Sequence, residues 1–479
     1  MQIIKYHTAN INSMLKRKAY DELMKWKESS KKPLLVYGQR QIGKTFIIEQ
    51  FAKENYETYI YSNLDEEASF RAIFKQPDRT VDNIILSIRT LRQLKDLNPK
   101  TTIIFLDEIQ SCPEALSSLK SFKKDGRFNV IASGSMLGLM DGLVKEKDEE
   151  QSKEMKVVSP MGDAKEYQMK SLDFEEFLWA NNIPEDAIDL VRKRIQDGEP
   201  IESPIFEQFS KMFKLFQIIG GMPAAVQAYV DDPSTFSNSS DEIEDIVVQI
   251  RRDITKYNTA SNAIRTAECF ESIPYQLANT NKRFHYSRIN QEGIDDKNTR
   301  KAADKYMENI LWIEHAGYGN FCHLIRNFSC PLKGNVEHDV FKIYLSDTGI
   351  LTHMYGDKAI SATYMEDTAF NQGAIVENMI AENLSKCGYE PAYYVKKNGK
   401  GRLEIDFVVE FFEGLVAIEV KSGKDRDAPS INKILEHHQV KRRIMLEKGN
   451  IRRSEDGIEH YPLFAAAFFN ELDQKPEYL

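Results

Sequence analysis

The chain has 479 residues, room for about three domains of ordinary size. Its 42% hydrophobic, 29% charged and 10% aromatic residues are a globular composition and exclude a wholly disordered or fibrous chain. A net charge of -9, from 64 Lys and Arg against 73 Asp and Glu, excludes a global basic field for nucleic acid, so any DNA contact must come from a local patch.

The N-terminal stretch MQIIKYHTANINSMLKRKAY carries charged and polar groups where a signal peptide needs an apolar core. The longest purely apolar run, Leu463 to Phe469, is far below the roughly 20 residues of a membrane-spanning helix. A cytoplasmic protein with no membrane partner is expected. Cys112, Cys269, Cys322, Cys330 and Cys387 form no CxxC pair, which argues against a zinc ribbon or a disulfide framework.

Ile11 to Lys31 has helical spacing of its apolar residues, and the runs LLVY, YIYS, TIIFLD and NVIAS then alternate with helical patterns up to Ala132. That alternation predicts a parallel sheet with crossover helices. The charge-dense Lys145 to Lys156 reads as an exposed loop. Leu172 to Val230 reads as helical, and the polar break from Asp231 to Glu242 is the strongest linker signal in the chain. Beyond it, helices over Ile243 to Tyr257, Ala260 to Leu277 and around Asn298 to Trp312 enclose the basic stretch Asn281 to Arg288. Helix, connection, helix and a polar hairpin give the outline of a winged helix. Gln372 to Leu384 is helical again, and the strand-like YYVK, LEIDFVVEF and LVAIEVKS follow it. The expected division is 1–170, 171–240, 241–335 and 336–479.

The segment GQRQIGKT (Gly38, Gln39, Arg40, Gln41, Ile42, Gly43, Lys44, Thr45) fits GxxxxGK[ST] between a buried strand and a helix. Its glycines let backbone N–H groups turn toward phosphate, and the helix N-terminus faces the same anion. In an ATP site Lys44 reaches the β- and γ-phosphates and Thr45 ligates Mg²⁺. The strand TTIIFLD delivers Asp107 to the same ion, and Glu108 is the residue expected to polarise the attacking water. Ser133 and Ser135, closing the next strand, are either γ-phosphate sensors or capping serines.

GQRQIGKT, LDEIQ, ASGSMLG, SPMGDAKEYQMKSLDFEEFLWA and GGMP together resemble the AAA+-related ATPases of the archaeal type that carry a fused C-terminal domain. The likeness covers almost the whole chain. Arg40 and Gln41 fit that family's P-loop wording, and FKIYLSDTGIL (Phe341 to Leu351) is similar to the opening of its C-terminal domain. The resemblance implies an α/β P-loop NTPase core with a parallel sheet, a helical lid, a winged-helix-like middle region and a restriction-endonuclease-like α/β end. Arg251 and Arg252 are candidates for a sensor or switch arginine, or else an ordinary charged helix face.

In the C-terminal segment Asp406 lies in one strand, and Glu419 and Lys421 share a face of the next by the period of 2. If those strands pair, Asp406 and Glu419 converge on one divalent cation, Mg²⁺ or Mn²⁺, with Lys421 positioning a water and Glu377 from the preceding helix closing the site. The set resembles the PD-(D/E)xK nuclease constellation, with Ile405 standing where the motif has Pro. The adjacent His437 and His438 make a poor metal pair. The basic clusters Lys282–Arg283 and Lys441–Arg443 read as solvated faces. The expected function is a Mg²⁺-dependent ATPase coupled to a metal-dependent DNA-cleaving or DNA-binding domain, with ATP, DNA and further copies of the chain as partners. The alternative is a nucleotide-gated binding module or STAND-like switch whose nuclease-like domain is inert.

Overall fold

The computed structural model describes residues 15–135, 162–256, 258–289, 299–367, 372–398, 401–423, 429–432, 434 and 440–474. The acidic stretch 145–156 and the pair His437 and His438 lie outside them. The chain divides into two compact units, Met1–Ser171 and Leu172–Leu479.

The first unit is a five-stranded sheet, parallel throughout, flanked by helices. Strands β1 (Leu34–Gly38), β2 (Thr58–Asn63), β3 (Thr102–Asp107), β4 (Asn129–Ser135) and β5 (Lys165–Gln168) take the order β2-β3-β4-β1-β5. All six residues of β3 are buried, as a strand covered on both faces requires. Helices α1 (Lys18–Ser29), α2 (Lys44–Asn55), α3 (Ala68–Phe74), α4 (Val81–Arg92) and α5 (Pro113–Asp125) cover the sheet. Ile104, Leu106 and Val130 of the sheet join Phe70, Ile88, Leu119 and Phe122 of the helices in one core. Strand β5 has no apolar run: it is a sheet edge of exposed and half-buried residues, held by backbone bonds to β1.

The second unit begins with helices α6 (Phe174–Ala180), α7 (Glu185–Asp197), α8 (Ser203–Ile219) and α9 (Pro223–Asp231). An Asp173–Glu176 capping box opens α6. The polar break does not divide the compact units: Asp231 ends α9, and α10 (Ser237–Lys256) starts within it. Apart from Ser171, the segments 171–240, 241–335 and 336–479 therefore share one unit. Helices α11 (Ala260–Leu277) and α12 (Thr299–His315) precede the antiparallel hairpin β6 (Gly319–Ile325) and β7 (Val336–Leu345). That hairpin is no free wing, because β6 also pairs in parallel with β8 (Ala392–Asn398).

The hairpin thereby joins an eight-stranded mixed sheet with β9 (Gly401–Phe411), β10 (Gly414–Val420), β11 (Val440–Glu447), β12 (Arg452–Arg453) and β13 (Glu459–Pro462), in the order β12-β13-β11-β10-β9-β8-β6-β7. Helices α13 (Thr348–Met354), α14 (Asp357–Met365) and α15 (Gly373–Lys386) lie between β7 and β8 in the chain. Residues Ala374 to Leu384 of α15 are buried without a break, carboxylates included. The GGMP and SDTG segments meet here: Gly221 N–H donates to Asp347 Oδ2 at 2.8 Å, and a Cβ on Gly220 would come within 2.1 Å of Asp347 Oδ1. Only glycine fits that approach, at a φ of +72°.

Candidate functional site: a phosphate loop and a buried carboxylate cluster

Between β1 and α2 the chain makes the turn that a phosphate loop needs. Gly43, at φ 85°, precedes the first residue of α2, and Gln41 is also left-handed at φ 60°. At Gly38 a Cβ would stand 2.2 Å from Met169 O, so the strand end accepts no side chain. Lys44 lies over the loop, its ammonium donating to Gly38 O at 3.1 Å and Gln39 O at 2.7 Å. The arrangement collects Gly38, Gln39, Arg40, Gln41, Ile42, Gly43, Lys44 and Thr45 around one helix N-terminus, where partial positive charge favours an anion.

Because β4 separates β1 from β3, the carboxylate ending β3 faces the loop across one strand. Thr45 Oγ1 donates to Asp107 Oδ2 at 2.9 Å, Tyr61 OH reaches the same oxygen at 3.3 Å, and Ser133 Oγ donates to Oδ1. Ser133 is thus engaged with Asp107. Burial, and then the charge of Asp107, push the Tyr61 phenol above its ordinary value. Thr45 and Asp107 form the hard oxygen pair that Mg²⁺ accepts beside phosphate and water, so the residues fit that ion. Glu108, left-handed at φ 50°, accepts from Gln110 Nε2, which also lies 3.5 Å from Ser135 Oγ.

Two residues escaped the sequence reading. Gln110 orients Glu108, and only its place two residues after the acidic pair hinted at it. Arg17, 7% exposed, donates to Ile42 O inside the loop at 2.9 Å and to Lys170 O at 2.8 Å. No local pattern marks it.

In the second unit Phe407 of β9 faces Ile418 of β10, which sets Asp406 and Glu419, the next residues along, side by side on one face. Val420 N–H donates to Asp406 Oδ2 at 2.9 Å, and Lys421 Nζ donates to Glu419 Oε1 at 3.1 Å. Asp406 and Glu419 are thus cross-strand neighbours, with Lys421 bonded to Glu419. Glu377 is engaged elsewhere: Oε1 accepts from Lys282, and Oε2 accepts from Tyr344 OH at 3.1 Å with Lys342 Nζ at 3.9 Å. Lys342 also lies 3.5 Å from Glu404 and over the Tyr393 ring.

Electrostatics separates the carboxylates. Burial alone would raise Glu377, yet Lys282 and Lys342 hold it below its ordinary value. Asp406 is pushed up to about 8, by burial first and then by the charges of Glu377 and Glu419; Glu419 is raised by burial. Among the described residues no group of three or more His, Cys, Asp or Glu side chains is arranged to hold a metal ion. Of the expected trio, Glu377 is bonded by lysines and a tyrosine, while Asp406 and Glu419 lie beside each other.

The other candidates have local partners. Arg251 Nε meets Glu271 at 2.7 Å. Arg442 and Arg443 are not a solvated basic face: Arg442 pairs with Glu459 and Leu472 O, and Arg443 with Asn432 and Asp456 O. Lys282 likewise points into the cluster.

Three family models match the sequence: an AAA domain over residues 30–178, and domains of unknown function over residues 210–361 (DUF8612) and 372–465 (DUF4143). No curated protein matches. Among solved structures, a Walker-type ATPase of Pyrococcus abyssi is similar at 15% identity, covering 72% of this chain and 97% of its own, with a TM-score of 0.40. A Pif1 helicase of Candida albicans is similar at 14% identity over 41% of this chain and 48% of its own, TM-score 0.22. A signal-transduction ATPase with numerous domains and a tetratricopeptide-repeat sensor, from Pyrococcus horikoshii, is similar at 12% identity over 79% and 46%, TM-score 0.27. The first unit is an AAA-type P-loop domain.

Arg17→Met removes two charge-assisted bonds to carbonyls, one of them in the loop, and should weaken nucleotide binding about tenfold in a fluorescent-ADP titration, with circular dichroism unchanged. Asp406 gives a pH prediction. An unfolded Asp ionises near pH ~4, whereas the folded one keeps its proton to about 8, so its stabilising contribution is whole at low pH and lost as pH rises across that window. Asp406→Asn can still accept the Val420 N–H and carries no charge. Its melting temperature relative to wild type should climb from pH 5 to pH 8.5; parallel pH profiles would refute the assignment.

Proposed function

We propose that the chain is a Mg²⁺-dependent ATPase whose nucleotide state controls the second unit. The observation that carries this reading is the 2.9 Å bond between Thr45 and Asp107, two oxygen ligands from separate motifs joined at the N-terminus of α2 beside Lys44. An isolated glycine-rich turn has no reason to draw a buried carboxylate to the hydroxyl of its last residue.

In this reading the loop N–H groups and the start of α2 bind the phosphates, and Lys44 exchanges its contacts with Gly38 O and Gln39 O for phosphate oxygens. Mg²⁺, when bound, neutralises charge developing between the β- and γ-phosphates. Tyr61 and Ser133 fix the Asp107 carboxylate so that it need not reorganise when the ion arrives. Glu108 accepts a proton from, or orients, the attacking water, and Gln110 sets its direction.

For the second unit the engagement of Glu377 by Lys282, Lys342 and Tyr344 favours a nucleotide-gated module that does not cleave DNA. The cleaving alternative needs Glu377, Asp406 and Glu419 to share an ion, with Lys421 beside it.

Lys44→Ala should abolish ATP turnover and nucleotide binding. Glu108→Gln should keep binding while turnover falls about 100-fold or more, measured by phosphate release. Full turnover in both variants would end the ATPase reading. Wild-type protein that hydrolyses ATP should leave plasmid DNA intact with Mg²⁺ or Mn²⁺, with and without ATP; cutting that Asp406→Ala removes would restore the nuclease reading.

A further inference from the structure

We infer that the C-terminal carboxylate cluster carries its counter-ions within the chain: the ammonium groups of Lys342, Lys282 and Lys421 take the place of a divalent cation, and the cluster is closed without metal. The inference deepens the non-cleaving reading of the second unit and is independent of the ATPase reading.

The argument begins with location. Lys342 is on β7, opposite Cys322 of β6, with its side chain 2% exposed. A buried ammonium must be paired and hydrogen-bonded, or it loses its proton. Here its Nζ has Glu404 at 3.5 Å, Glu377 at 3.9 Å and the face of Tyr393 at 4.9 Å from the ring centroid. Its electrostatic partners are Glu377, Asp406 and Glu404, so one cation on a rigid strand faces three carboxylates from α15 and β9.

Lys282 approaches from a different element. It lies in the connection after α11, where Phe284 N–H donates to Phe341 O at 2.9 Å and His285 N–H to Gln276 Oε1 at 2.7 Å, and its ammonium bonds Glu377 Oε1. Lys421 completes the set on Glu419 Oε1. Four carboxyl groups (Glu377, Glu404, Asp406, Glu419) face three ammonium groups, and with Asp406 keeping its proton at neutral pH the charges balance, while the Tyr344 hydroxyl and the Val420 N–H add neutral donors.

A divalent cation adds two charges to a set that the lysines already balance, and it needs an oxygen shell that the lysines already occupy. Glu419 Oε2 is a buried oxygen of the cluster with no hydrogen-bond partner, and one orphaned oxygen does not make a coordination sphere.

Three full-length, nucleotide-free proteins test this: wild type, Asp406→Asn and Lys342→Met, each titrated with MnCl2 and followed by the loss of the free-Mn²⁺ paramagnetic signal and by thermal unfolding. Wild type and Asp406→Asn should give superimposable titrations. Lys342→Met should gain about one Mn²⁺ per chain, at least tenfold tighter than wild type, with a melting temperature that rises with Mn²⁺, and the added change Asp406→Asn should cancel the gain. Should Lys342→Met not fold, Lys282→Met takes its place with the same expectation. Wild-type Mn²⁺ binding that Asp406→Asn removes, or a folded lysine variant that gains no Mn²⁺, overturns the inference. Mn²⁺ bound there without DNA cleavage would overturn the lysine counter-ions and leave the non-cleaving reading standing.

Discussion

A hydroxyl donating to a carboxylate 62 residues away, Thr45 to Asp107, is the constraint around which the first unit is organised. It requires the helix start after β1 and the end of β3 to arrive at the same place, although β1 and β3 are not neighbours in the sheet. The intervening β4 makes this possible and supplies Ser133 to the other oxygen of the same carboxylate. The remaining features of the loop follow from the need to hold that meeting point still. Glycine at 38 admits Met169 O, and glycine at 43 supplies the left-handed step before α2. Arg17 ties the Ile42 carbonyl to the chain that leaves β5.

The second unit meets a different problem, which is charge inside a core. Helix α15 buries Glu377, Asn378, Glu382 and Asn383 among apolar residues, and each buried carboxylate has donors of its own. Glu382 receives Lys386 at 2.5 Å and the hydroxyl and N–H of Thr348, while Glu377 receives two lysines and a tyrosine. Buried pairs of this kind add little net stability, yet losing one partner is costly because the other charge is stranded. They tie α15 to β7 through Tyr344 and to α13 through Thr348.

What was legible in the sequence had a local signature. Apolar runs marked β1 to β4, the glycine spacing marked the loop, and the period of 2 put Glu419 and Lys421 on one face, while the pairing that sets Asp406 opposite Glu419 came only from the fold. Strand β5 was not legible, since a sheet edge of exposed and half-buried residues carries no apolar run. The lysines of the cluster were hidden for another reason. Lys282 sits in a basic stretch that looks solvated, its partner 95 residues away, and Lys342 sits among strand residues where an exposed lysine is the ordinary expectation. Arg17 fails in the same way: its targets are carbonyl oxygens, which leave no trace in side-chain spacing. The polar break at 231–242 misled because composition reports solvent exposure, and an exposed helix start is as polar as a linker.

The joint between the two units has a consequence for dissecting the molecule. Leu172 belongs to the second unit through its own backbone: its N–H donates to Gly221 O at 2.7 Å, and its carbonyl accepts from Lys386 at 2.6 Å. A fragment that starts one residue later takes one of two acceptors from the Lys386 ammonium, which keeps Glu382, and removes the donor to the Gly221 carbonyl, whereas one that starts at Ser171 keeps both bonds. The first residue of a separately produced C-terminal half is thus dictated by hydrogen-bond accounting, and the polar break at 231–242 is the wrong place to cut.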